Sequence, residues 1–226
     1  MPSAVDICNL ALSHIGDVAD VQAIYPPDGS VQAGFCATFY PIALLSILEQ
    51  ASWDFATRRA GLAALAANPS TTWRNAYAVP DGMLSAIAVL PPYARDDYTE
   101  HLGHRSWFHP MPDYPNPAAN IYTPQPYSIE SDADGNRIIL TNVWDAVLRY
   151  TVTVEDPNAF SALFVMALSY QLASMLAGPL IKGETGMSVS EGMLQKAQAF
   201  TSQAKTSDAN QRRIELQQST PWMAGR

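Results

Sequence analysis

The sequence predicts an α+β chain: a helical bundle made from the N- and C-terminal segments, an inserted small antiparallel β domain, and an extended C-terminal tail. Three observations predict it. Apolar residues step by three and four from Val5 to Leu65 and again from Phe160 to Ala204. Between Thr71 and Val154 that period gives way to alternation and short apolar runs. After Asp208 the chain turns polar with a few apolar anchors. The expected division is a helical domain over 1–70 and 155–210, a β domain over 71–154, and a tail over 211–226. The chain has 226 residues, 48 % of them apolar, enough to bury a core and too many for disorder.

Taken in order, Ser3 is placed to cap a first helix, with Asp6 in its first turn and Gly16 beyond its end. Val5, Cys8, Leu12 and Ile15 share one face of it. Tyr25-Pro26-Pro27-Asp28-Gly29 is a turn, and Ser30 caps a second, long helix. The apolar stripe of that helix reads Val31, Phe35, Thr38/Phe39, Ile42, Leu45 and Leu48, continuing through Ser52, Phe55, Leu62 and Leu65 to Asn68-Pro69. Pro41 inside it is expected to kink it or mark a joint. Tyr77–Val79 and Ala86–Leu90 read as strands, and Tyr127–Glu130 with Arg137–Thr141 as a hairpin about Asp132–Asn136. Val147–Val154 alternates as another strand. Residues 91–126, rich in proline, histidine and aromatics, form a long irregular excursion. Asp156-Pro157 starts a helix that is apolar nearly all round to Ala177 and stops at Gly178-Pro179. Ser188-x-x-Glu191 is a capping box for the last helix, whose stripe is Met193, Ala197, Phe200 and Ala204.

Charge narrows the function. Thirteen basic against twenty-one acidic residues give −8, the wrong sign for a protein that neutralises nucleic-acid phosphates. The balance is uneven: residues 1–181 hold seven basic and seventeen acidic side chains, and residues 182–226 hold six and four. Two cysteines are too few for a disulfide framework and suit folding in a reducing cytoplasm; Met1-Pro2-Ser3 does not open a signal peptide. The run 158–177 nears membrane-spanning length, but Ser161, Ser169, Gln171 and Ser174 interrupt it, so it reads as a helix enclosed by protein. One small domain is not expected to enclose it alone, and Phe160, Phe164, Leu168, Leu172 and Leu176 are therefore expected to pack between subunits.

No catalytic pattern survives inspection. Asp132-x-Asp134-x-Asn136 has Arg137 where a calcium loop needs glycine, and Val143 where it needs glutamate, so it reads as a hairpin turn. His101, His104 and His109 lack a completing ligand. There is no nucleophile elbow, phosphate-cradling glycine loop or zinc-protease motif. Cys8 and Cys36 face apolar neighbours, as inert core thiols do. The chain is expected not to be an enzyme and to need no cofactor or metal. Arg58 and Arg59 suit ion pairing with Asp54 or a neighbouring subunit, aromatic stacking or DNA contact, and the sequence leaves that open.

Five segments in order carry a resemblance: Ile7-Cys8-Asn9-Leu10 through Gly16-Asp17; Trp53-Asp54-Phe55-Ala56 with Arg58-Arg59; Trp73-Arg74-Asn75-Ala76-Tyr77 to Pro80-Asp81; Arg149-Tyr150-Thr151; and Ala167-Leu168 through Leu176-Ala177-Gly178-Pro179-Leu180. Together they resemble the tail tubular protein A, or head-to-tail adaptor, family of short-tailed bacteriophages (podoviruses). Residues 91–126 depart from that pattern. The resemblance implies a structural virion protein of the tail or neck: a dodecameric ring beneath the portal, joined to the tail tube or nozzle protein, with a channel through which DNA passes without specific binding during genome ejection. It implies no membrane. It also implies that the C-terminal segment reaches the portal; within that basic tail Arg212, Arg213, Ile214, Leu216 and Trp222 are the expected docking residues, Trp222 after Pro221 as an aromatic anchor. The alternative from the residues themselves is a tail or neck protein that binds host-surface glycan through Tyr93, Tyr98, Trp107, Phe108, Tyr114 and Tyr122 of the 91–126 excursion, or cleaves such glycan with paired carboxylates.

Overall fold

The capping chemistry at the start of the chain sets its first element. In the computed structural model, which describes residues 2–18, 20–92 and 125–211, helix α1 spans Ala4–His14. Ser3 Oγ accepts from the Asp6 N–H at 3.1 Å while Asp6 accepts from the Ser3 N–H at 2.7 Å, a reciprocal box. At the other end Gly16 takes φ +80°, Asp17 N–H donates to Leu12 O, and Gly16 N–H donates to Ser13 O. Those two bonds satisfy carbonyls that the helix end would otherwise leave open.

Helix α2 spans Val31–Leu48, capped by Ser30, whose Oγ accepts from the Ala33 N–H. It runs on through Pro41. Pro41 has no N–H for Ala37 O, four residues back, and the Tyr25 hydroxyl donates to that carbonyl instead at 3.3 Å. The helix then stops at Leu48, which corrects the expected continuation to Asn68. The Trp53 indole N–H donates to Ile47 O at 3.0 Å and so closes the last turn from outside. Asp54–Ala56 form one 3₁₀ turn, and Thr57–Gly61 is strand β1. The apolar spacing of Phe55, Leu62 and Leu65 matched a helical period by coincidence.

The chain forms two compact units, one of Met1–Thr57 with Val152–Gln211 and one built on Arg58–Thr151. The boundary falls at 57/58, so residues 58–70 go with the sheets. The second unit holds β1, β2 (Asn75–Ala78), β3 (Met83–Leu90), β4 (Tyr127–Ser131), β5 (Arg137–Thr141) and β6 (Val147–Val152). They make two three-stranded sheets ordered β1-β6-β3 and β2-β5-β4. β4 and β5 pair antiparallel with Tyr127 opposite Thr141 and Ser131 opposite Arg137, as the hairpin pattern predicts. In their turn Asp132 Oδ1 accepts from the N–H groups of Asp134 and Asn136, and Gly135 takes φ +84°. Those bonds, the Asn136 ones foremost, hold the Asp132 carboxyl below its ordinary pKa. Ala76, Ile138 and Leu140 pack with Trp73 to form one small core, and Ala88 and Leu90 pack with Ile87 and Val147 to form another. Buried Tyr77 ties β2 to the loop between β5 and β6, its hydroxyl donating to Val143 O at 2.9 Å.

In the helical unit Asp156 caps only a 3₁₀ turn, Pro157–Ala159; helix α3 starts later, at Ala162, under Ser161, and runs to Ile181 through Pro179. The stop expected at Gly178-Pro179 therefore moves to Lys182 and Gly183, both at positive φ. Helix α4 spans Gly183–Ala209, so the Ser188/Glu191 pair lies inside a helix rather than opening one. α3 packs against α1, α2 and α4. Gly186 makes the α3–α4 crossing close, since a Cβ there would stand 3.1 Å from Ala177 O. Ser190 Oγ donates to Ser174 O in the same seam.

Candidate functional site

The side chains expected to pack between subunits lie inside the chain's own helical unit. Phe164, Leu168, Leu172 and Leu176 are fully buried, and Phe160 is 9 % exposed. Phe164 meets Trp53 edge-on at 5.0 Å, Phe55 at 5.1 Å and Phe160 at 4.7 Å between ring centroids. The apolar girth of α3 is thus covered by α1, α2, α4 and this aromatic cluster within one chain. The expected portal-docking residues Arg212, Arg213, Ile214, Leu216 and Trp222, the 91–126 excursion apart from its ends, and the three histidines there lie outside the described residues.

What the helical unit exposes is the other side of α2. Its buried face is Ala33, Cys36, Tyr40, Ala43, Leu44, Ile47 and Leu48. Most of the apolar stripe read from the sequence points outward, Leu48 excepted: Val31 is 66 %, Ile42 53 % and Leu45 36 % exposed. Phe35 and Phe39 are half-buried beside them, their rings stacked at 6.1 Å. The physical reason is that α2 is apolar on both faces, so periodicity alone does not choose between them. Small side chains mark the inner face, because Ala33, Cys36 and Ala43 let neighbouring backbones come close. α2 carries no acidic or basic side chain over its 18 residues. By length and composition both α2 and α3 could cross a membrane. On α4 a second apolar pair, Met187 and Leu194, is also exposed.

A polar stack lies between α1, α3 and α4. The His14 ring stacks on Tyr170 at 3.9 Å and 8°, and Tyr170 stacks on Phe200 at 5.2 Å, with Lys196 Nζ 5.5 Å over the tyrosine ring. Ser169 donates its hydroxyl to Met166 O, which leaves His14 Nε2 as donor to Ser169 Oγ at 3.1 Å. Burial first, and the Lys196 charge second, lower the His14 pKa from its ordinary 6.5. A histidine held neutral in the fold takes up protons more readily once unfolded. Its contribution to stability is therefore full above pH 6.5 and declines as pH falls below that value. The urea midpoint of the wild type is expected to fall between pH 7 and pH 5 more steeply than that of His14→Gln; parallel curves would remove this role.

Elsewhere the unit offers little chemistry. Cys8 and Cys36 are free and buried, and the hydrogen bond between their thiols, with burial, pushes the Cys8 thiol well above its ordinary pKa. Asp208 accepts from the Asp54 N–H at 2.9 Å and links α4 to the segment after α2. Among the described residues no group of three histidine, cysteine or carboxylate side chains converges to hold a metal. Ser202, Gln203, Thr206, Ser207 and Asn210 line a shallow, open depression along α4. In the sheet unit Trp144 is exposed beside Asp145, which takes φ +52°. No family model matches this chain, and no curated protein matches it.

Proposed function

We propose that the chain is a structural subunit of a phage head-to-tail adaptor: copies form a ring beneath a portal, join it to the tail, and leave a channel for DNA. The observation that carries this reading is the outer face of α2, an 18-residue helix without a charged side chain that leaves Val31, Ile42 and Leu45 in contact with water on a chain of net charge −8. Contiguous apolar surface of this kind marks an interaction face, and the ordered motifs from Ile7 to Leu180, which resemble those of the adaptor family, support this assembly. In this reading α1–α4 form the bundle that makes the ring wall, the sheets are an insertion into it, and the tail reaches the portal. An acidic wall suits a channel, since it repels phosphate and lets DNA slide without being gripped. Neither a cofactor nor a reaction is required.

The test is electron microscopy of the purified chain mixed with a portal protein of the same phage, alongside duplex-DNA retention at moderate salt. Rings seated on portals, with no DNA retained by the protein alone, are the expected result. Portals that stay bare, or tight DNA binding by the protein alone, would overturn the reading.

A further inference from the structure

We infer that Cys8 and Cys36 form a redox-sensitive clasp, a buried pair of thiols that a small-molecule disulfide converts into a covalent link between α1 and α2. The clasp belongs to the single chain and needs no ring. Both side chains are 0 % exposed, Cys8 on the buried face of α1 and Cys36 on that of α2. They are the chain's only two cysteines, and each thiol has the other as its hydrogen-bonding partner. Two helices that both pack on α3 thus bring their sulfurs together across the 27 residues between them.

An inert core thiol has only apolar neighbours. This pair has a polar one. Tyr40 follows Cys36 by one turn on the same buried face of α2. Its hydroxyl is buried without a hydrogen-bond partner, and burial first, with the neighbouring Cys8 second, keeps it protonated. A buried O–H with nothing to bond is costly, and a thiolate formed at Cys8 is the acceptor it lacks. The bond between the thiols also has a direction. It raises the Cys8 pKa and lowers that of Cys36, so the Cys8 S–H donates and Cys36 is the sulfur that loses its proton first.

The exchange then has two steps. The Cys36 thiolate attacks one sulfur of the reagent and a small thiolate leaves. Cys8 passes its proton to that thiolate and attacks Cys36 Sγ, held as a thiolate by the Tyr40 hydroxyl, and the second small thiolate leaves. The protein loses two protons and two electrons, and the reagent gains both as two thiols. The reagent meets the pair only when α1, a helix of 11 residues, opens locally. Once α1 closes again, the same burial shields the new bond from reductants.

The test equilibrates full-length wild type with graded mixtures of reduced and oxidised glutathione, in native buffer and in urea. Remaining thiols are then alkylated under denaturing conditions and the intact mass is read. The expected product is a monomer, unalkylated and lighter by two hydrogens. Its formation should be favoured at least about thirtyfold more in native buffer than in urea, the low end for a native cross-link. By linkage the oxidised chain gains stability by the same factor, so its urea midpoint lies above that of the reduced chain. Pairing no more favourable in native buffer than in urea would overturn the inference, as would disulfides that join separate chains. Two variants test the order of events: Cys8→Ala should stop at a mixed disulfide on Cys36, while Cys36→Ala stays unmodified. The reverse would overturn the assigned roles. Tyr40→Phe should slow pairing severalfold while the reduced midpoint holds or rises; an unchanged rate would remove Tyr40 from the site.

Discussion

Trp53→Ala is expected to destabilise the helical unit by about 3–5 kcal/mol, the range for truncating a large buried aromatic. Trp53 is 1 % exposed and touches Phe164 edge-on at 5.0 Å and Phe55 at 6.1 Å. Truncation opens a cavity beneath α3 and removes the indole N–H from Ile47 O, the carbonyl that ends α2. Set against the 5–15 kcal/mol of a typical domain, the loss moves the urea midpoint far enough to read by far-ultraviolet circular dichroism, which does not depend on the lost fluorophore. Trp53→Phe should fall between, keeping most of the ring contact and losing the indole bond to Ile47 O, worth about 0.5–1.5 kcal/mol, since the Gln50 N–H still donates to that carbonyl at 3.2 Å. A loss under about 1 kcal/mol for the alanine variant would show that the cluster does not hold α2 to α3.

In the proposed adaptor, deleting residues 211–226 is expected to abolish portal docking, because it removes Arg212, Arg213 and the proposed anchors Ile214, Leu216 and Trp222 in one step while α4 ends before the cut, at Ala209. Trp222→Ala alone should weaken docking at least about thirtyfold, the scale of a central aromatic anchor worth about 2 kcal/mol or more. The measurement is a titration of portal protein with the full-length and truncated chains. Equal affinity for both would remove the tail from the docking surface and leave the ring contact to be judged separately.

Much of the architecture was legible because it is decided within a few residues. Ser3 with Asp6, Gly16 at positive φ, Ser30 before α2 and the Asp132–Asn136 turn all satisfy backbone groups next to themselves. Neighbouring helices decided the rest. The end of α2 depends on an indole that returns from Trp53, and the passage through Pro41 on a hydroxyl from Tyr25. The late break at Lys182 and Gly183 is accompanied by a tight approach of α4 to α3 at Gly186, which no local pattern announces. The inference that α3 needs a second copy to cover it also gave way, since the chain covers Leu168, Leu172 and Leu176 itself.

By itself the sequence determined the α+β class, the β4–β5 hairpin, the caps of α1 and α2 and the acidic balance, all set by local hydrogen bonding or by composition. Only the tertiary structure decided which side of α2 meets water. Both sides are apolar, and the choice falls to whichever lets Ala33, Cys36 and Ala43 bring backbones close; Val31, Ile42 and Leu45 are left outside.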